Sequence, residues 1–331
     1  MEIIRRSSTS EKTETRIPEL CIEAVLRAVP RRFLPAVEAA IRRGGEDGAE
    51  ELRFRVNRPV QLVTGRGEVM LLQYAPFTQK EAAAMLEAVC GHSVYAKEQQ
   101  LIRGFVTLPG GARVGLSGEP LLGKDGIERF TNVSGFDIRL PREIIGCAEA
   151  FLPMLTENLP SGRLPVSTLI AGKPGVGKTT FLRDFARCCS EGVGIASPLK
   201  VSLADERNEL SGSVEGVPVM NVGLRTDVIT SVPKTVSIPM LLRSMAPDVI
   251  VTDEIGGAED MHAVSEATKY GVTVLASIHA GSSAELAHKK WLVDALSEGS
   301  FIRVLLLARR GGRFFLRSAA LTETDHGAGG C

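Results

Sequence analysis

The chain has 331 residues, 44% of them hydrophobic and 24% charged, which points to two folded domains and excludes a disordered or fibrous protein. Lys plus Arg equals Asp plus Glu at 39 each, so no excess positive charge is available to hold a phosphate backbone, and no nucleic-acid partner is expected. No apolar run approaches the roughly 20 residues that span a bilayer, so the chain is expected to carry no transmembrane segment.

Residues 1–16 contain arginines but no apolar core behind them, which reads as a flexible tail rather than a secretory signal. The six cysteines form no C-x-x-C pair, a pattern that fits a reducing, cytoplasmic setting. Cys188 and Cys189 fall at the end of an expected helix, where packing is a commoner role for thiols than redox chemistry.

From 17 to 44 apolar residues recur at helical spacing, with Pro30 dividing two helices and Gly44–Gly45 ending the second. Glu51–Val56 and Val60–Gly65 alternate as strands around an Asn-Arg-Pro turn. Thr78 with Glu81 has capping-box spacing and opens a helix to about Cys90. Phe105–Leu108 and Arg113–Leu116 flank Pro-Gly-Gly-Ala as a hairpin, and a strand is expected over Gly135–Leu140. The region 17–150 therefore reads as a smaller mixed α+β domain. Prolines and glycines punctuate 151–165 as a linker.

Residues 166–322 alternate strand and helix regularly. Strands are expected at 166–171, 199–204, 248–252, 272–278 and 302–308, and helices at 178–189, 238–245, 257–270 and 282–296. Short apolar strands between helices specify an α/β domain with a mostly parallel sheet covered on both faces. An antiparallel pair follows, and 323–331 reads as a second flexible tail.

Gly172-Lys173-Pro174-Gly175-Val176-Gly177-Lys178-Thr179 fits G-x-x-x-x-G-K-[ST] between an expected strand and helix, the context of a P-loop, with Thr180 next in the helix. Glycines let backbone amides converge on phosphates, and the following helix turns its positive end toward them. Lys178 then supplies a cation to the β and γ phosphates of ATP, and the Thr179 hydroxyl ligates Mg2+. Val249–Glu254 is an apolar run ending in two carboxylates, a Walker B pattern in which Asp253 serves the Mg2+ shell and Glu254 the attacking water. Asp205 and Glu206 close the strand after the P-loop, and His279 closes another; in a parallel sheet all emerge at the edge where Gly172 lies. The first two read either as catalytic carboxylates or as a salt bridge or cap. His279 reads either as a γ-phosphate contact or as a polar strand end.

Four landmarks in this order, GKPGVGKT, ADER, VIVTDE and VLASIH, resemble the hexameric ATPases of bacterial type II and type IV secretion, with their Walker A, aspartate box, Walker B and histidine box. EELRFRVNRPVQL, YAKEQQLIRGFVTLPGGARVGLSGE and VSLADERNELSGS look closer still to the stage III sporulation protein AA family, over about residues 17–310. Asn57 and Ala112 stand where that family suggests Gly and His, and Asp253-Glu254 stands where many secretion ATPases have Gly-Glu. The last departure leaves open whether Glu254 or Glu206 orients the water.

The resemblance implies a RecA-like P-loop ATPase domain behind the smaller N-terminal domain. It implies a homo-oligomeric ring, expected to be hexameric, acting on the mother-cell side with membrane proteins of a channel to the forespore. It also makes Arg113, Arg139 and Arg142 candidates for arginines that reach the nucleotide. A nucleic-acid ATPase and a nucleotide switch with little turnover are the alternatives. Balanced charge and 5% aromatic residues count against the first. The number of acidic and histidine groups at one sheet edge counts against the second.

Overall fold

The structure, a computed structural model, describes residues 6–7, 14–43, 47–91, 93, 97–102, 104–123, 126–310 and 312–319. The expected Gly44–Gly45 stop, all of the expected C-terminal tail and most of the N-terminal one lie outside the described residues. The chain divides into two compact units, one over Thr15–Glu143 with Gly212–Val214, the other holding the rest.

Two short strands, β1 (Arg6–Ser7) and β2 (Glu14–Arg16), come first. Helices α1 (Glu19–Ala28) and α2 (Leu34–Ile41) are parted by Pro30 and a 3-10 turn over Arg31–Phe33, because proline withholds an amide and forces the preceding residue out of helical geometry. Strands β3 (Ala49–Arg55), β4 (Gln61–Thr64) and β5 (Gly67–Met70) precede helix α3 (Gln79–Val89) and the short α4 (Glu98–Ile102). Strands β6 (Phe105–Thr107), β7 (Arg113–Gly123) and β8 (Gly126–Arg139) complete a six-stranded antiparallel sheet of order β5-β4-β3-β8-β7-β6.

The expected strand at 135–140 is the inner end of β8. The outer β7–β8 arm gives no alternating pattern in the sequence because residues 119–123 are exposed on both faces. Phe33, Phe54, Phe77 and Phe136 meet edge to face in the core of this unit, with centroids 5.4–6.3 Å apart. Asn57 sits at φ 61°, a left-handed conformation that glycine takes freely and asparagine tolerates.

Strand β9 (Glu143–Ile145) lies where the first unit ends. The stretch 151–165, expected as a linker, instead folds within the second unit. It holds α5 (Leu152–Leu155) and a hairpin of β10 (Thr156–Leu159) and β11 (Gly162–Pro165), with Phe151, Leu152 and Leu155 buried. Its prolines mark the first turn of a helix (Pro153), the hairpin turn (Pro160) and a strand end (Pro165), all of which tolerate them.

The remaining elements are β12 (Thr168–Gly172), α6 (Lys178–Glu191), β13 (Val201–Asp205), β14 (Thr226–Thr230), α7 (Lys234–Met245), β15 (Val249–Glu254), α8 (Ala258–Lys269), β16 (Thr273–His279), α9 (Ser283–Ala287), α10 (Lys290–Ser297), β17 (Arg303–Arg310) and β18 (Arg313–Ser318). The sheet order is β1-β18-β17-β12-β16-β15-β13-β14, with β17 through β14 parallel and β18 and β1 antiparallel. Alternate residues of the parallel strands feed two cores, Ile170, Leu203 and Val251 on the face of α6, and Leu169, Ala204 and Ile250 on the other.

Three sequence expectations are corrected here. The helix expected over 282–296 breaks into α9 and α10 at His288–Lys289, where Lys289 leaves helical geometry at ψ 87°. Helix α7 starts four residues before the expected Ile238 and carries Pro239 inside it. Strand β14 was not expected, because Thr226–Thr230 is polar and half exposed at the sheet edge.

Candidate active site

The register of the sheet assembles the site. Gly172, the last residue of β12, lies opposite His279, the last of β16, and Glu254 at the end of β15 pairs with Ser277 across a bulge. Between β12 and α6 the loop turns through Gly175 at φ 74° and Gly177 at φ 101°. A Cβ on Gly177 would stand 2.8 Å from the Phe314 ring, so conformation and space both demand glycine there.

Lys178, the first residue of α6, is buried. Its Nζ donates to the carbonyls of Gly172 (2.9 Å) and Lys173 (3.2 Å) and meets Nδ1 of His279 at 3.1 Å. Burial holds its pKa below the ordinary lysine value, against an opposing pull from Glu254. On the other side of the imidazole, His279 Nε2 lies 2.8 Å from Glu254 Oε2. An ammonium only donates, so Nδ1 is the acceptor and Nε2 carries the proton given to Glu254, the neutral tautomer. Arg207 Nη1 donates to the same Glu254 oxygen at 2.9 Å. One continuous chain, Arg207–Glu254–His279–Lys178, thus joins the ADER loop to the P-loop.

A second chain lies beside it. Asp253 is buried, with Oδ1 2.7 Å from Lys234 Nζ, and Lys234 donates at 2.8 Å to Glu206 Oε2. Burial pushes the Asp253 carboxyl up to about 6, partly offset by Lys234. Lys234 is held above the ordinary lysine value, burial being outweighed by Asp253 and Glu206. Neither Asp253 oxygen makes a well-aligned hydrogen bond. A buried carboxylate with unspent lone pairs at the end of β15 is a hard oxygen donor that fits Mg2+ held jointly with phosphate oxygens, and the Thr179 hydroxyl on the first turn of α6 is a donor of the same kind. Among the described residues no group of three or more His, Cys, Asp or Glu could hold a metal alone.

Asp205 ends β13 at the same sheet edge but does not face the site. Its carboxylate turns back into its own loop and accepts from the amides of Glu209, Leu210 and Ser211 and from the Ser211 hydroxyl. Of its two readings it takes the structural one, capping the loop that presents Glu206 and Arg207. Arg183 of α6 fixes the same loop by donating to the carbonyls of Leu210 and Glu209.

The three N-terminal arginines make contacts inside their own unit. Arg113 lies over the Phe105 ring at 4.5 Å, Arg139 pairs with Asp137 at 3.2 Å, and Arg142 donates to the carbonyls of Gly48 and Ala49 and pairs with Glu50 at 3.3 Å. The thiols of Cys147, Cys188 and Cys189 are buried and free, and burial raises each one's pKa well above the ordinary thiol value, which suits packing and not nucleophilic chemistry. Sequence reasoning missed Lys234 and gave Arg207 no role of its own. The helix is expected only from Ile238, and Pro233, a residue favoured at helix starts, is the local signal that moves that start ahead of Lys234.

This sheet, with a glycine-rich loop between its central strand and the following helix, is the RecA-like P-loop NTPase fold. The Legionella pneumophila ATPase DotB aligns with a TM-score of 0.55 over 84% of this chain and 75% of its own, at 15% identity. The pilus retraction motor PilT, solved with bound ADP, aligns at 0.56 over 86% of this chain and 82% of its own, at 14% identity. At such identity the likeness shows the fold.

The sequence itself goes further. The profile of the family described as "Sporulation stage III, protein AA" matches residues 23–317. Stage III sporulation protein AA of Bacillus subtilis (strain 168) is 40% identical over 263 residues, 80% of this chain and 83% of that protein. The chain belongs to the stage III sporulation protein AA family.

Proposed function

We propose that the protein is a Mg2+-dependent ATPase of the secretion-motor type, working as a homo-oligomeric, hexameric ring. In this reading it sits in the cytoplasm on the mother-cell side and acts with membrane proteins that form a channel to the forespore. Among the described residues no helix is long and apolar enough to cross a membrane, so that role needs membrane partners. One observation carries the reading: Lys178 and Glu254 flank the two nitrogens of one imidazole at the mouth of the P-loop. A motif present by chance has no reason to deliver a phosphate-binding cation and a base to the same histidine.

The residues divide the work as follows. The backbone from Gly172 through Thr179, with Thr180 behind it, receives the phosphates of ATP at the start of α6. Lys178 leaves its own loop carbonyls for the β and γ phosphates. Asp253 and Thr179 are the residues that would hold Mg2+, which would supply neutralisation of charge on the phosphate oxygens. Glu254 orients the attacking water and receives its proton. It is favoured over Glu206 because Glu254 shares a histidine with Lys178, whereas Glu206 is tied to Lys234. His279, released by Lys178, takes up a proton at Nδ1 and donates it in a hydrogen bond to a γ-phosphate oxygen, while Nε2 stays on Glu254.

The test is phosphate release and nucleotide affinity for the wild type, Lys178→Ala, Glu254→Gln and Glu206→Gln, with mass in solution recorded with and without a non-hydrolysable ATP analogue. Lys178→Ala loses binding and turnover together. Glu254→Gln keeps affinity but loses turnover by about 10²–10⁴-fold, and the analogue promotes the ring. Tight binding with no turnover, indifferent to Glu254→Gln and with a persistent monomer, would replace the motor with a nucleotide switch.

A further inference from the structure

Lys234 is the group the proposed chemistry leaves unused, and its placement is costly. Its side chain is 3% exposed, it occupies the first position of α7 after Pro233, and both burial and the positive end of the helix oppose a cation there. Such a lysine persists only where strong acceptors compensate it.

The charges at the ends of β13 and β15 show which acceptors these are. Asp205 is satisfied by three amides and a hydroxyl. Glu254 is satisfied by Arg207 and His279. Asp253 and Glu206 remain, and one ammonium serves both, at 2.7 and 2.8 Å. Glu206 is partly open to solvent whereas Asp253 is enclosed. The ammonium can therefore move wholly onto Glu206 with that carboxylate following it, while Asp253 stays fixed at its strand end.

We infer that Lys234 is the resident counter-cation of Asp253, holding that carboxylate until Mg2+ arrives with the nucleotide and then withdrawing to Glu206. The inference rests on the nucleotide-site reading of Asp253. It makes Lys234 a positioning residue that competes with the metal, and it assigns Glu206 the task of receiving the displaced ammonium. A purely structural salt bridge would join α7, β13 and β15 equally well, but it would not couple to the metal. The two roles therefore differ in one measurable quantity, the factor by which Mg2+ strengthens nucleotide binding.

That factor is the dissociation constant of a fluorescent, non-hydrolysable ATP analogue in EDTA divided by its value in excess Mg2+. Removing the ammonium in Lys234→Met takes a positive charge from metal-free binding and a competing one from Mg2+ binding, so the factor rises about tenfold. Lys234→Arg keeps the charge and stays near the wild type. Glu206→Gln leaves the ammonium to Asp253 alone, so the factor falls below the wild type, which gives an opposite sign and an independent arm if Lys234→Met fails to fold.

Nucleotide binding with an unchanged factor in Lys234→Met, or in Glu206→Gln where that variant must decide, overturns the inference even if overall affinity or thermal stability drops. No binding by the wild type in either buffer overturns the nucleotide reading itself and removes this inference with it.

Discussion

Glu254 and Lys178 have opposite charges and separate tasks, and His279 keeps them apart and aligned. In the neutral tautomer the ring accepts from Lys178 and donates to Glu254, so it holds both without adding charge. Without the ring, Glu254 is left to Arg207, which approaches from the opposite loop and is more than half exposed. His279→Ala is therefore expected to lower kcat by about 10–100-fold while the KM for ATP changes less than about threefold, measured by steady-state phosphate release. Equal kcat in variant and wild type would return His279 to its alternative reading, a polar strand end.

At the scale of elements, helix α3 shows a local signal that the fold has reinforced. Thr78 accepts from the Glu81 amide and Glu81 reaches back to Thr78, a complete capping box. Arg32, from the 3-10 turn after α1, then grips both Glu81 oxygens at 2.6 and 2.8 Å. The Arg32 guanidinium, helped by the Thr78 donors and opposed by burial, pulls the Glu81 carboxyl from 4.5 down to about 2. A carboxyl lowered on folding stabilises above its unfolded value, and that stabilisation fades as pH falls through the folded one.

Glu81→Gln should accordingly cost about 1–2 kcal/mol at neutral pH, a figure discounted for partial exposure. The gap from the wild type should shrink between about pH 5 and pH 2, read by urea denaturation of both chains across that range. A gap independent of pH would mean that the capping geometry, and not the ion pair, carries the effect.

At the scale of the molecule, the two units have separate cores, one built on Phe33, Phe54, Phe77 and Phe136, the other split over the two faces of the parallel sheet. The site belongs to the edge of that sheet, where β12, β15 and β16 end together. A ligand bound there stabilises the fold by mass action, about 2.7 kcal/mol at a hundred times its dissociation constant. Amides of the P-loop and the ends of β15 and β16 are expected to gain hydrogen-exchange protection with the Mg2+-bound ATP analogue. Unchanged exchange at all three, under saturating analogue, would argue against the site.

Features that depend on neighbours along the chain are legible in the residues alone. The P-loop is a spacing of glycines before a helix, the Walker B strand is an apolar run with two acids at its end, and the capping box of α3 is a four-residue pattern. The parallel sheet followed from short apolar strands alternating with helices. Where side chains turn once distant segments meet is set by the assembled fold. It turned Asp205 inward to cap its loop while Glu206 faces Lys234, though the two are adjacent in sequence. It brought Lys234 to Asp253 and Arg207 to Glu254, pairs that no periodicity links. It folded 151–165 into a helix and hairpin and made an edge strand of the polar Thr226–Thr230. For the charged pairs the cause is shared. Local patterns fix the period and direction of an element, but a buried charge is tolerated only where the completed fold supplies its partner, and that partner comes from a distant element, a helix for Asp253 and a loop for Glu254.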